Sequence, residues 1–172
     1  MAEITKRVGG SKATVYGYFP SKEKLFLAVV HAEAQRHLDA AGADVAAHRA
    51  GSLRDDLIHF GAALVRFLCS DVGTAGLRMV MAQAGRSDIG RLFYEEGPAQ
   101  GLHMMAGALQ AAMERGELRQ ADPLIAAQHL EGLLTSEIKP RLFHQQSPKM
   151  SAKQALQIAE RAVDVFLQGY GA

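Results

Sequence analysis

The stretch EITKRVGGSKATVYGYFPSKEKLF, residues 3–26, governs how the N-terminal part of this chain folds. Gly9 and Gly10 end a first short helix, because glycine adopts the left-handed conformation that a tight turn needs. Ser11 then caps a second helix about two turns long, and Ser21 opens a third and much longer one. Two short helices joined this tightly form a helix-turn-helix, whose second helix lies in the major groove of DNA.

The side chains of the second helix suit contact with DNA. Hydroxyl and ammonium groups at its N-terminal end reach base edges, and those that follow suit phosphate oxygens. The candidates for DNA contact are Ser11, Lys12, Thr14, Tyr16, Tyr18 and Lys22. The alternative is that Tyr16, Tyr18 and Phe19 form an apolar wedge between helices. We favour packing for Phe19 and DNA contact for Tyr16 and Lys22.

The remainder of the chain shows helical periodicity and helix-start residues but little that resembles a strand. Only residues 15–19 have strand-like composition, and no partner strand lies within hairpin range. The sequence therefore predicts an all-α protein with a helical bundle behind the helix-turn-helix. The predicted helices span residues 2–8, 12–18, 22–47, 53–70, 75–84, 88–95, 98–115, 123–137 and 152–168.

Composition and charge narrow the class of protein. The 172 residues are 48% hydrophobic and 22% charged, values typical of a folded domain. No apolar run approaches the roughly 20 residues of a membrane span. With a single cysteine, Cys69, and no leader segment, we expect a cytoplasmic protein that does not enter a membrane. The net charge is +1, but residues 1–36 hold six basic and three acidic residues, which suits a head that meets an anion.

Catalytic and metal-binding motifs are missing from the sequence. It contains no phosphate-binding loop, no nucleophile elbow and no cysteine–histidine zinc spacing, so we do not expect an enzyme or a cofactor. Glu33 and His37 lie four residues apart on one helix face and leave a metal sensor as a weaker alternative. Such a pair is more often a solvated interaction on a helix surface.

Residues 4–30 resemble the DNA-binding signature of the TetR/AcrR family of bacterial transcriptional regulators, in which a recognition helix ends in Tyr-x-Tyr-Phe and continues through Ser-Lys-Glu into a long helix. The stretches FYEEGP at 93–98 and AVDVFL at 162–167 resemble the ligand-binding and dimerisation domain of the AefR-like branch. The resemblance implies a homodimer that binds a double-stranded DNA operator and a small apolar effector. It also implies a boundary between a head, residues 1–36, and a body, residues 37–172.

Three features depart from the family pattern. A further helix precedes the two helices of the motif in such regulators, whereas this sequence starts with the second helix under way. Gly10 replaces a bulky apolar residue, and Gly17 lies inside the recognition helix, where glycine costs about 1 kcal/mol relative to alanine. We therefore expect the head to lack its first helix and to bind DNA weakly.

The resemblance places the effector among the middle helices, where it tilts the long helix 22–47 and changes the separation of two recognition helices. Candidates for the ligand site come from inward helix faces, and methionine suits an adaptable cavity, although plain core packing explains the same pattern. They are Phe60, Leu64, Phe67, Met79, Met105, Leu109 and Met113.

The resemblance also implies that the last two helices of each subunit form a four-helix dimer interface. The candidates are Ile125, His129, Gly132, Leu133, Ser136, Ala155, Ile158, Ala159, Ala162, Val163 and Phe166. The same residues could instead pack within one chain. The sequence thus predicts a ligand-controlled transcriptional regulator, with repression as the expected action. The alternative is a homodimeric helical ligand sensor that does not bind DNA.

Overall fold

The computed structural model describes residues 17–19, 21–47, 51–85, 87–145 and 148–172. Over these residues the chain is helical, which confirms the predicted all-α class. The helices are α1 (Lys22–Ala47), α2 (Leu53–Leu68), α3 (Asp71–Gln83), α4 (Ile89–Glu96), α5 (Pro98–Glu114), α6 (Pro123–Ser136) and α7 (Ala152–Tyr170). A 3-10 helix, Lys139–Phe143, follows α6. The described residues contain no strand, only an isolated antiparallel bridge between Leu118 and Gly171.

Short-range polar contacts set the helix starts. The Ser52 hydroxyl accepts a hydrogen bond from the Asp55 amide at 3.1 Å and begins α2. Ser151 and Gln154 form a reciprocal capping box at the start of α7. Helix α3 begins at residue 71 rather than at the predicted 75, because the Ser70 hydroxyl caps it by accepting from the Gly73 amide at 3.0 Å.

The hydrophobic core lies around α2, which packs against α1 on one side and α7 on the other, while α6 packs on α5 and α7. Leu57, Val65, Leu109, Leu130 and Phe166 are almost wholly buried there. Each such side chain contributes about 1.5–3 kcal/mol through the hydrophobic effect. The bundle therefore packs on α1, whose first residues belong to the head.

Membrane insertion was tested by helix length and hydropathy. Within the described ranges no single helix is long and apolar enough to cross a membrane. Only the pair α2 and α3 reaches that length and composition together, with a 68° bend between them.

Candidate ligand-binding cavity and its link to the head

The described part of the chain before α1 is short. Gly17 and Tyr18 are helical, Tyr18 is 78% exposed, and Lys22 is exposed as the first residue of α1. The Ser21 hydroxyl accepts a hydrogen bond from the Lys24 amide at 3.1 Å and so caps α1, as the sequence predicts. The other DNA-contact candidates, Ser11, Lys12, Thr14 and Tyr16, lie outside the described residues, as do the predicted helix 2–8 and most of 12–18.

A cavity of about 750 Å³ opens between α1, the ends of α2 and α3, the corner between α4 and α5, and α6 with the 3-10 helix. Its wall is predominantly apolar and includes aromatic rings. The apolar lining includes Leu27, Val30, Leu38, Phe60, Leu64, Phe67, Leu77, Phe93, Leu102, Met105, Leu130 and Leu134. A cavity of this size and character suits a small, mostly apolar molecule.

One wall of the cavity belongs to α1. Leu27, Val30, His31, Ala34 and Leu38 recur at spacings of three and four residues and line it. The same helix begins at Lys22, so its first part belongs to the head and its later part to the body. One helix therefore lines the cavity and extends into the head.

A second, smaller hollow of about 380 Å³ lies between the head and the bundle. Tyr18 and Phe19 line it from the head, and Lys24 lines it from α1. His31, Gln35 and Glu96 line both hollows. The Lys24 ammonium lies 3.9 Å from the Glu96 carboxylate and so connects the start of α1 to the end of α4.

Polar side chains also line the larger cavity, among them His31, Asp39, Glu96, Glu131 and Lys139. Glu131, on α6, is an exposed residue, but partial desolvation raises the pKa of its carboxyl, and the Lys139 ammonium partly opposes that rise. Burial also raises the pKa of the Cys69 thiol, so that the thiol form is favoured there. The wall is therefore mainly apolar, with polar groups contributed by several of its helices.

The predicted ligand residues separate into two groups. Phe60, Leu64, Phe67 and Met105 line the cavity together. Leu109 and Met113, one and two turns beyond Met105 on α5, lie outside the lining and are buried in the central core. Met79 packs instead on a separate cluster of Leu27, Val80 and Ile89.

The sequence reasoning missed the contribution of α1 and α6 to the cavity. The apolar row on α1 at spacings of three and four could have indicated it. We had assigned that helix only the role of a connector, and periodicity alone does not show what a helix face meets.

The predicted dimer residues also fall into two groups, one on α7 and one on α6. Ala155, Ile158, Ala159, Ala162, Val163 and Phe166, all on α7, are buried within the chain itself, Phe166 with only 1% of its surface exposed. Their face packs on α2 and α6, so an interface on α7 has to use other side chains.

The predicted dimer residues on α6 are more exposed than those on α7. Ile125, at 43% exposure, lies with His129, Gly132 and Ser136 on the side facing away from the core, and Leu133 lies half-buried at its edge.

His37, which with Glu33 suggests a metal sensor in the sequence, has partners within its own helix. His37 Nδ1 lies 2.9 Å from the carbonyl oxygen of Glu33, its neighbour one turn earlier. In the described ranges, no group of three or more histidine, cysteine, aspartate or glutamate side chains is arranged to hold a metal ion.

Comparison with known proteins gives two family matches. Residues 55–172 match the AefR-like transcriptional repressor C-terminal domain, and residues 1–29 match the bacterial regulatory proteins of the tetR family. Both are families of transcriptional regulators rather than enzymes. No match is found among curated proteins.

Several solved structures are similar to this chain. A TetR-family transcriptional regulator from Mesorhizobium loti is 29% identical, with a TM-score of 0.82, over 99% of this chain and 85% of that one. The flavonoid-responsive regulator FrrA is 30% identical, with a TM-score of 0.72, over 99% and 86%. A TetR regulator from Agrobacterium tumefaciens is 25% identical, with a TM-score of 0.73, over 99% and 83%.

Proposed function

The chain belongs to the TetR family of bacterial transcriptional regulators, with an AefR-like C-terminal domain, and from that membership we propose that it is a repressor controlled by a small, mostly apolar ligand. Regulators of this family bind DNA operators and act as dimers. The observation that carries the proposal is that α1, which begins at Lys22 within the head and continues into the body, lines the 750 Å³ cavity.

The character of the cavity supports an apolar ligand. Burying apolar surface contributes about 25 cal/mol per Å² to the binding free energy, so a molecule that packs against this wall gains most of its affinity without charged contacts. The similar regulator FrrA is described as flavonoid-responsive. Flat aromatic molecules of that kind are therefore suitable first probes.

Ligand binding would act on DNA through α1. A molecule seated against Leu27, Val30 and Leu38 favours one tilt of this helix, and His31, Gln35 and Glu96 extend the same wall toward the head. Half-sites on DNA lie about 34–36 Å apart, so a changed separation of recognition helices weakens binding. By linkage, operator DNA weakens ligand binding by the same factor.

We assign DNA contact to Ser11, Lys12, Thr14, Tyr16, Tyr18 and Lys22. The exposure of Tyr18 and Lys22 beside the start of α1 supports two of the six.

The outward face of α6 is the proposed dimer surface. An exposed isoleucine, a glycine with open space above it and the partly buried Leu133 give a shallow apolar face that a symmetric copy can cover. Ile125→Glu introduces a charge into that face and is expected to convert the dimer to a monomer by light scattering. Gln83→Glu, exposed at the end of α3 and away from α6, is the matched control and should stay dimeric.

The function is tested in two steps. The protein is used to select binding sequences from a random double-stranded DNA library, and the selected DNA is then titrated in a mobility-shift assay with and without flavone. Selection of a pseudo-palindromic site that flavone releases supports the proposal. Ligand binding without any selected DNA supports the alternative of a sensor that does not bind DNA.

Nile red, a neutral apolar dye, tests the cavity itself. We expect its fluorescence to rise on binding and to be displaced by flavone. Leu77→Glu, which places a charge on a partly exposed position of the cavity wall, should abolish that rise, whereas Gln128→Glu, outside the lining, should not. An unchanged signal with Leu77→Glu would mean that the dye, and the ligand it represents, binds elsewhere.

A further inference from the structure

The cavity is elongated along α1. This helix lines it from Leu27 to Gly42. Because an α-helix rises 1.5 Å per residue, that stretch is about 22 Å long. A sphere with the cavity's volume of about 750 Å³ would be only about 11 Å across, half the length that α1 covers. The shape of the cavity therefore restricts the ligand as well as its apolar wall does.

The two ends of the cavity are built from different helices. At one end, Leu27 is buried in a cluster with residues of α3 and α4, and a Cβ on Gly76 of α3 would lie 2.9 Å from the Val30 side chain. At the other end, a Cβ on Gly42 would lie 3.2 Å from the terminal methyl group of Met104 on α5. Helices α3 and α4 thus surround one end and α5 the other, and α1 joins the two.

The wall that α2 and α3 supply changes direction between these ends. Phe60, Leu64 and Phe67 line the cavity from α2, Thr74 and Leu77 line it from α3, and the two helices meet at 68°. A hydrocarbon chain follows such a bend, because each of its single bonds rotates among three staggered states. A rigid planar ring system long enough to reach both ends does not. A compact molecule occupies one end and leaves the apolar wall of the other without contacts.

We propose that the effector carries an extended hydrocarbon chain, as long-chain acyl and alkyl compounds do, and that this chain lies along α1 and reaches both ends of the cavity. With a carbon–carbon bond of about 1.52 Å and a bond angle near 111°, each carbon advances the chain by about 1.25 Å, so a chain of about 16 carbons is about 19 Å long. This inference rests on the proposed function, since it takes the cavity as the effector site, and it adds the length and class of the ligand.

A series of straight-chain carboxylic acids of 6 to 18 carbons, each kept below its micelle-forming concentration, tests the length. Displacement of Nile red gives the affinity, and the head group is the same throughout, so differences report the chain. We expect affinity to rise about two- to fourfold per added methylene up to about 16 carbons and then to stop rising, because each methylene buries apolar surface only while cavity remains. A rise that stops near eight carbons would overturn the inference.

A substitution halfway along α1 should shorten the cavity. Ala34 lines it midway between Leu27 and Gly42, and Ala34→Phe fills the space there. The rise in affinity should then stop at about eight carbons, so that the 16-carbon acid binds at least about tenfold more weakly than to wild type and the eight-carbon acid within about threefold. Ala75→Phe, exposed on α3 outside the lining, is the matched control and should behave as wild type.

A second substitution shortens the cavity from the far end by a smaller amount. Gly101 lines the cavity one turn before Met104 on α5, and a Cβ there meets nothing within 4 Å, so Gly101→Leu is accommodated by the fold. The rise in affinity should stop at about 12 carbons in this variant. Gly107→Leu, on the same helix in equally open space but outside the lining, should keep the wild-type limit.

The outcomes separate the two proposals. If Nile red binds and flavone displaces it, but affinity does not depend on chain length or both variants keep the limit at about 16 carbons, the chain-like ligand is overturned and the cavity stands. If neither Nile red nor any of the acids binds, the proposed effector site falls and this inference falls with it.

Discussion

Gly73 lies at the sharp corner where α2 ends and α3 begins, and replacing it with alanine tests the packing of that corner. A Cβ at this position would lie 2.2 Å from the carbonyl oxygen of Phe67 and 3.1 Å from its carbonyl carbon. Contacts shorter than 3.0 Å are essentially never seen for real Cβ atoms. Because the overlapping atom belongs to the backbone, no rotamer change relieves the clash. Either the corner opens or α3 shifts.

The size of the effect follows from two opposing terms. Alanine in place of a helical glycine contributes about 1 kcal/mol through helix propensity. Forcing an extra group into a packed site costs about 1–3 kcal/mol, and a backbone overlap falls at the upper end. Gly73→Ala should therefore lose about 2 kcal/mol of unfolding free energy, which for a chain of this length lowers Tm by about 4–8 °C.

Thermal unfolding followed by circular dichroism measures this loss. Gly107→Ala is the matched control, because a Cβ there meets nothing within 4 Å and should raise Tm by about 2–4 °C. Both variants are compared at one protein concentration, since dimerisation makes Tm concentration-dependent. Gly73 also lines the cavity, so its variant should bind Nile red more weakly. If Gly73→Ala were as stable as Gly107→Ala, the close corner between α2 and α3 would be refuted.

Three further substitutions probe other parts of the fold. Glu131→Gln removes a carboxyl whose pKa burial raises above 4.5, so the variant should exceed wild type in Tm at pH 7 to 8 and lose that advantage as pH falls toward 4. Arg78→Ala removes a guanidinium that donates hydrogen bonds to three carbonyl oxygens in residues 141–144. Because those bonds hold the segment in place, trypsin should cut the variant after Arg141 at least about tenfold faster than the wild type. Arg91→Ala should leave that cleavage rate unchanged. Phe166→Ala should cost about 3–5 kcal/mol at every protein concentration, whereas a loss seen only in dilute samples would place this residue in the dimer interface.

Much of the helical layout was predictable because it depends on neighbours in sequence. Ser52, Asp122 and Ser151 accept hydrogen bonds from amides two or three residues ahead, and each begins a helix at the predicted residue. The start of α3 at residue 71 differs from the predicted 75, because Ser70, which the sequence places at the end of the preceding helix, caps the next one instead. The 3-10 helix Lys139–Phe143 has no periodic signal and was not predicted.

The cavity was only partly predictable, because periodicity identifies a buried face but not its neighbour. Phe60, Leu64, Phe67 and Met105 line the cavity, while Leu109 on the same face of α5 as Met105 is buried in the core one turn away. The difference depends on which helices pack beside each turn of α5, and no local pattern encodes that packing. The same holds for α7, whose small apolar face suits a partner subunit and the chain's own α2 equally well.

The amino-acid order alone therefore established the helix-turn-helix signature, the all-α class and most helix boundaries, since these follow from caps, glycine turns and side-chain spacing within a few residues. The tertiary structure decided which apolar faces meet one another, which surround an open cavity, and which remain exposed. Those outcomes depend on packing between residues far apart in the chain. The wall beside Glu131 is the clearest example, because Phe60, Phe93 and Lys139 come from three separate helical segments.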